Sequence, residues 1–121
     1  MPRDPRQFLY DVVTACQAIA AFCSGKSGRD YQEDLLLRSA CERQFEIIGE
    51  AMTRLRDADP TTFAAIPAGK DIIAFRNRLI HGYDTVDSEI VWDVIEQRIP
   101  ALGDAARRLL HEPEPPVSDV R

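Results

Sequence analysis

The chain contains two histidines, and only one of them lies where it could carry out chemistry. His81 lies within segment 76–83, which reads Arg-Asn-Arg-Leu-Ile-His-Gly-Tyr. This segment ends an amphipathic stretch and places an imidazole, which can carry protons, beside two arginines. His111 stands at the edge of a proline-rich tail, where an exposed and inert side chain is expected. The candidate site is therefore segment 76–83.

These side chains fit metal-independent cleavage of RNA, in which a ribose 2′-hydroxyl attacks the neighbouring phosphate. The reaction needs a group that moves protons and a fixed cation that stabilises the charged phosphorane. His81 and Arg76 could fill these roles, and Tyr83 could donate its hydroxyl or stack on a base. The products would carry a 2′,3′-cyclic phosphate and a free 5′-hydroxyl. We expect neither a cofactor nor a metal ion.

The spacing of the residues limits how they can act together. Asn77 lies four residues before His81 and shares a helix face with it, so its amide could orient the imidazole. Arg76 lies five residues before His81, about 140° away around a regular helix. A second subunit could supply the residue that pairs with Arg76 or His81. Alternatively, the cluster could merely cap carbonyls and complement the helix dipole.

Composition and charge restrict the class of protein. The chain has 121 residues, 45% of them hydrophobic and 29% charged, which is typical of one soluble domain. No apolar run approaches the roughly 20 residues of a membrane span, so we expect a cytoplasmic protein. The net charge of −5 argues against nucleic-acid binding through bulk electrostatics. A local arginine cluster could still attract phosphate.

The first half of the chain predicts two long helices. Asp4 and the proline after it open a helix that runs to about Phe22. Asp30 and Glu33 form a capping-box signature ahead of a second helix that runs to about Arg56. The apolar stripe of this second helix faces a core and comprises Leu37, Cys41, Ile48, Met52 and Leu55. A glycine interrupts the same helix at position 49, where another helix could approach closely.

The second half predicts a turn or short helix near Pro60 and then two further helices. The third major helix opens at residue 70 or 71 and stops at Gly82. The fourth is capped by Asp87 or Ser88, and Pro100 marks a kink or a break in it. Its inward residues are predicted to be Ile90, Val91, Val94, Ile95, Ile99 and Leu102.

No alternation typical of β-strands occurs in the sequence. We therefore expect an all-α protein, an antiparallel up-and-down bundle of four to five helices. The helical domain covers residues 1–111, and residues 112–121 form a flexible proline-rich tail. The three cysteines show no metal-site spacing and are expected to be reduced thiols.

The motif Arg-x-x-x-x-His-x-Tyr of segment 76–83 resembles the signature of the HepT family in the HEPN superfamily. Segment 45–51, which reads Phe-Glu-Ile-Ile-Gly-Glu-Ala, is similar to a second block of that family. Segments 71–83 and 86–92 continue the likeness, so the resemblance extends from the first helix to about Leu102. The order and spacing of these blocks make chance agreement improbable.

The resemblance implies an HEPN-like homodimer that acts as a metal-independent endoribonuclease toxin on messenger or transfer RNA. Arg76 and His81 would be the catalytic pair, with Asn77 and Arg78 as supporting residues. The two-fold dimer would bring two motif helices together in a composite site. Tyr83 corresponds to a tyrosine that the partner antitoxin, a minimal nucleotidyltransferase of the MntA type, modifies with AMP. The dimer could form a higher assembly with that antitoxin.

Two other functions stay open. A non-catalytic helical dimer could bind a nucleotidyltransferase partner, which the acidic net charge favours. A bundle that holds a nucleotide or a metal is the weakest alternative, because the sequence has no Glu-x-x-His pair and no glycine-rich phosphate loop.

Overall fold

The computed structural model describes residues 4–82 and 86–111. Within these ranges the chain forms seven α-helices and no strand. Five of the helices have ten or more residues. In chain order the helices are α1 (Pro5–Cys23), α2 (Gly28–Glu33), α3 (Leu35–Ala58), α4 (Pro60–Ala64), α5 (Gly69–His81), α6 (Ser88–Gln97) and α7 (Ile99–His111). The predicted all-α class with an HEPN-like helical bundle is confirmed.

The main core lies where α1 packs against α3 on one side and α7 on the other. Cys23 at the end of α1 meets Cys41 of α3, with 3.6 Å between the sulfurs. Cys16, in the middle of α1, lies against Gly103 of α7. Apart from Tyr31, whose hydroxyl is also buried, no polar or charged side chain is fully buried in the described ranges, so this core is held together by apolar packing.

The helix that carries most of the candidate site, α5, packs on α3 and runs antiparallel to it. Near the start of α5, Gly69 lies against Met52 and Phe63. Further along, Phe75 meets Phe45 edge to face, with ring centroids 5.2 Å apart. Aromatic pairs favour this arrangement, and it fixes the rotation of α5 on α3.

The predicted helix starts are correct at α1 and need correction at α2 and α3. The Asp4 carboxylate accepts a hydrogen bond from the backbone nitrogen of Arg6 at 2.9 Å, as an N-cap should. The capping box, however, is formed by Ser27 and Asp30, and it opens the short helix α2 rather than a long one. The chain then bends at Asp34, whose side chain caps α3 by accepting from the nitrogen of Leu37 at 3.1 Å.

The later helices agree with the predicted boundaries. The chain leaves α5 at Gly82, whose nitrogen donates to the Arg78 carbonyl at 2.8 Å. Asp87 caps α6 by accepting from the backbone nitrogen of Glu89. The break falls between α6 and α7, so Pro100 lies in the first turn of α7, where its missing N–H leaves no hydrogen bond unmade.

One predicted core residue is wrong. Ile90 is 42% exposed, because Val91 and Ile95, one turn apart, are the residues of α6 that face the core.

The predicted tail at residues 112–121 and the predicted modification residue Tyr83 lie outside the described residues. None of the helices in the described ranges is both long and apolar enough to cross a membrane.

Candidate active site

Arg76 extends from α5 onto the backbone of α3, directly over Gly49. A Cβ atom at position 49 would overlap the Cβ, Cγ and Nε atoms of Arg76. Gly49 is buried, and Arg76 is half-buried above it. Only glycine leaves room for the arginine stem at this point, because every other residue adds a Cβ atom. The predicted close approach at Gly49 is confirmed.

Thr53 holds the other end of the Arg76 side chain. Its hydroxyl donates a hydrogen bond to the Gly49 carbonyl at 2.8 Å, one turn earlier in α3. The lone pairs of this oxygen therefore face outward, and Nη2 of Arg76 donates to them at 3.4 Å. Sequence reasoning missed Thr53. Its position four residues after Gly49, on the same face of α3, was the available signal.

The guanidinium of Arg76 is incompletely satisfied. Its Nε atom is buried and has no hydrogen-bond partner in the described part of the chain. No carboxylate among those residues forms an ion pair with Arg76 either. A buried donor without a partner costs about 1–3 kcal/mol of stability. The fold thus holds a cation in place without supplying its counter-ion.

The opposite face of the end of α5 is exposed. Asn77, Arg78 and His81 all reach solvent. The structure brings Asn77 and His81 onto one side of the helix, yet their side chains form no hydrogen bond with each other. Because α5 is helical through His81, Arg76 and His81 project about 140° apart. One chain therefore does not bring this pair together.

Capping of the helix end explains part of the cluster. Arg78 and His81 lie in the last turn of α5, where positive charge complements the helix dipole. Arg76 is different, since its hydrogen bond goes to Thr53 of α3 and not to the end of its own helix.

Across residues 4–82 and 86–111, no group of three or more His, Cys, Asp or Glu side chains could hold a metal ion.

The cysteines belong to the core rather than to the site. Cys16, Cys23 and Cys41 are free. Burial raises the pKa of the Cys16 thiol to about 12 and also raises the pKa of Cys41. Thiols with raised pKa values stay protonated near neutral pH, so neither of these two is an activated nucleophile.

Comparison with known proteins gives matches over most of the chain. The family model described as ribonuclease HepT-like matches residues 12–109. A candidate RNase of Caldanaerobacter subterraneus subsp. tengcongensis is 31% identical over 110 residues, which cover 91% of this chain and 97% of that protein. A candidate RNase of Methanocaldococcus jannaschii is 31% identical over 101 residues, which cover 83% of each chain. The probable ribonuclease HepT of Thermococcus cleftensis is 29% identical over 109 residues, with 90% and 98% covered. No solved structure gives a significant match.

Proposed function

Because the chain belongs to the HepT-like ribonuclease family, we propose that it is an endoribonuclease that cleaves RNA without a metal ion. The catalytic residues are Arg76 and His81, supplied by two subunits of a homodimer. One observation carries the proposal above all others: the guanidinium of Arg76 is fixed over Gly49 and has no counter-ion among the described residues.

The role of Arg76 follows from that environment. A cation that is held in place by packing and by Thr53 needs little reorganisation when an anion arrives. The phosphorane carries more charge than the phosphate it forms from, so a fixed guanidinium stabilises it preferentially. Its planar fork of donors also matches the phosphate oxygens.

The role of His81 is proton transfer. The 2′-oxygen forms a bond to phosphorus, the bond from phosphorus to the 5′-oxygen breaks, and one proton moves from the former oxygen to the latter. An exposed imidazole can accept the first proton or deliver the second. A two-fold dimer contains two copies of His81, so both transfers have a group available.

The dimer is part of the proposal because one chain does not suffice. Arg76 and His81 point in different directions from α5, and a neighbouring α5 helix can bring the two types of side chain together. Ile80, which precedes His81, is 40% exposed. An apolar residue beside the site is well suited to a contact between subunits.

Control of the activity is proposed to act on Tyr83, two residues after His81 in the sequence. A nucleotidyltransferase antitoxin of the MntA type would attach AMP to its hydroxyl. The added bulk and negative charge would exclude RNA from the neighbouring site. This chain has no Gly-Ser and paired-aspartate signature of a nucleotidyltransferase, so it is the target and not the modifying enzyme.

The proposal is tested by incubating cellular RNA with the purified protein in EDTA and analysing the new RNA ends. We expect cyclic phosphates from the wild type. Arg76→Ala and His81→Ala should lower the rate by about 10²–10⁴-fold, because each removes a group that acts in the transition state. His111→Ala is the matched control, since this exposed histidine ends α7, and it should cleave at the wild-type rate.

Absence of cleavage by pure, unmodified, dimeric protein would contradict the proposal. It would leave the non-catalytic module that binds a nucleotidyltransferase as the function. Sedimentation of the same sample checks the subunit arrangement, because a monomer at working concentration would be incompatible with a site built from two chains.

A further inference from the structure

A cleft of about 630 Å³ separates α5 from the junction of α6 and α7. Apolar side chains that line it include Ile72 and Phe75 from α5 and Leu102 from α7. Arg78 reaches it from α5, and Arg98 reaches it from the end of α6. Pockets of about 300–1,000 Å³ typically enclose ligands of drug size, a class that includes a nucleotide.

The two arginines of the cleft have no partner in the described part of the chain. Most arginines of the described residues are paired with a carboxylate or with a backbone or hydroxyl oxygen, namely Arg6, Arg29, Arg38, Arg43, Arg54, Arg56, Arg76 and Arg107. The exceptions are Arg78, Arg98 and Arg108. Two of these three line the same cleft, so it concentrates unpaired positive charge on a chain whose net charge is −5.

The end of the cleft at Arg78 lies near His81 along α5. Arg78 is three residues before His81, about 60° from it around the helix, whereas Arg76 is about 160° from Arg78. A molecule bound at the Arg78 end of the cleft would therefore lie near His81. Asp71 lines the cleft in the first turn of α5, so phosphates are favoured only toward the Arg78 and Arg98 end.

We infer that this cleft binds a single-stranded segment of the RNA substrate beside the bond that is cleaved. This inference rests on the proposed function and names where the substrate lies. Arg78 and Arg98 bind phosphates of the strand, and the apolar lining receives a base. Proteins usually bind single strands in positively charged grooves that also contain apolar or aromatic side chains. A duplex would keep its bases stacked inside the helix, away from this lining.

The binding test uses a fluorescent RNA oligonucleotide with 2′-O-methyl groups throughout, because it lacks the attacking hydroxyl and cannot be cleaved. Fluorescence anisotropy measures its affinity for the full chain. We expect Arg98→Ala to weaken binding about tenfold or more, because the variant lacks a charged hydrogen bond to the strand. The slope of log Kd against log salt should fall by about 0.7 for each phosphate that the variant no longer neutralises. Arg108→Ala is the matched control and should leave affinity and slope unchanged.

A second variant pair tests the cleft without removing charge. Ala101 is exposed and lines the cleft, so Ala101→Trp should fill it and weaken RNA binding by a similar factor. Ala20 is exposed on α1, and Ala20→Trp controls for the added aromatic ring. Circular dichroism melting identifies any variant that fails to fold.

Equal affinities for Arg98→Ala and Arg108→Ala, or no binding by the wild type, would overturn the inference. So would a shift of the RNA-free protein from dimer to monomer in Arg98→Ala or Ala101→Trp, because the cleft would then be a subunit interface. The cleavage assay is independent of these measurements. If the wild type binds RNA through Arg98 and does not cleave it, the cleft stands and the nuclease proposal fails.

Discussion

Two parts of α3 differ in composition, namely its buried apolar stripe and the two positions, Gly49 and Thr53, that lie beneath Arg76. In the stripe, buried positions carry apolar side chains such as Phe45, Ile48 and Met52. Gly49 and Thr53, one turn apart on the same helix, instead provide an open backbone and a hydroxyl for a guanidinium. Gly49 itself is unfavourable in a helix by about 1 kcal/mol relative to alanine.

The two parts of α3 contribute to stability in opposite directions. Each core position removes apolar surface from water and strengthens the fold. The Arg76 position buries a donor without a partner and uses a poor helix former to do so. Features that weaken a fold without a local benefit are typical of functional sites. The following variants test this contrast.

The largest loss of stability is expected in the buried apolar stripe of α3. Phe45 is fully buried and packs against Phe75. Phe45→Ala should lower the free energy of unfolding by about 3–5 kcal/mol, because the truncation leaves a cavity. Denaturant titration measures this loss. A change below about 1 kcal/mol would mean that this region is not the packed core described above.

Arg76→Met should separate activity from stability. Methionine keeps a long, flexible stem over Gly49 and removes the buried donor, so the free energy of unfolding should stay constant or rise by about 1 kcal/mol. RNA cleavage should fall by about 10²–10³-fold, as expected when a transition-state donor is removed. Arg54→Met, an exposed residue paired with Glu50, should change neither quantity by much. Strong destabilisation by Arg76→Met would make the arginine a structural residue.

Gly49→Ala should damage both properties through a single overlap. The new methyl group would collide with three atoms of Arg76, which we expect to cost about 1–3 kcal/mol of unfolding free energy. It would also displace the guanidinium and lower the cleavage rate. In an Arg76→Ala background the cost should be smaller, because the Cγ and Nε overlaps are gone and only the Cβ overlap remains. A double-mutant cycle measures this coupling, and additive effects would contradict it.

Thr53→Val should have the smallest effect and the most specific one. Valine has the shape of threonine without the hydroxyl that accepts from Arg76. We expect kcat to fall about tenfold, equivalent to about 1.4 kcal/mol, with little change in KM, since Thr53 acts by positioning Arg76. Thr53→Ser should restore the rate. Equal rates for the Val and Ser variants would show that the hydroxyl has no part in positioning the arginine.

Much of the fold could be predicted from local patterns. The stripe Leu37, Cys41, Ile48, Met52 and Leu55 is buried, and Asp4, Asp87 and Gly82 mark helix ends as their residue types suggest. The separation of α2 from α3 was missed although its signal was present. Ser27 and Asp30 have capping-box spacing, and Asp34 directly precedes the run of leucines that it caps.

The direction of Arg76 could not be predicted from the sequence. Helix periodicity states which residues share a face of α5, but the packing of Phe75 on Phe45 decides which face meets α3. The exposure of Ile90 has the same origin, because only the placement of α6 shows which apolar residues reach a neighbour. Gly49 was the one local signal in the sequence. It indicated that another helix packs closely there, but it did not identify Arg76 as the residue in contact.

The packing order of the helices also decides where this protein can be tethered. The guanidinium of Arg6, in the first turn of α1, donates to the carbonyl of Leu110 in the last turn of α7. Since α3 and α5 are antiparallel, His81 lies toward the N-terminal half of α3, at the Cys23–Cys41 end of the bundle. The beginning of α1 is at the opposite end. A surface anchor or fluorescent fusion joined ahead of α1 would therefore be attached a full helix length from His81.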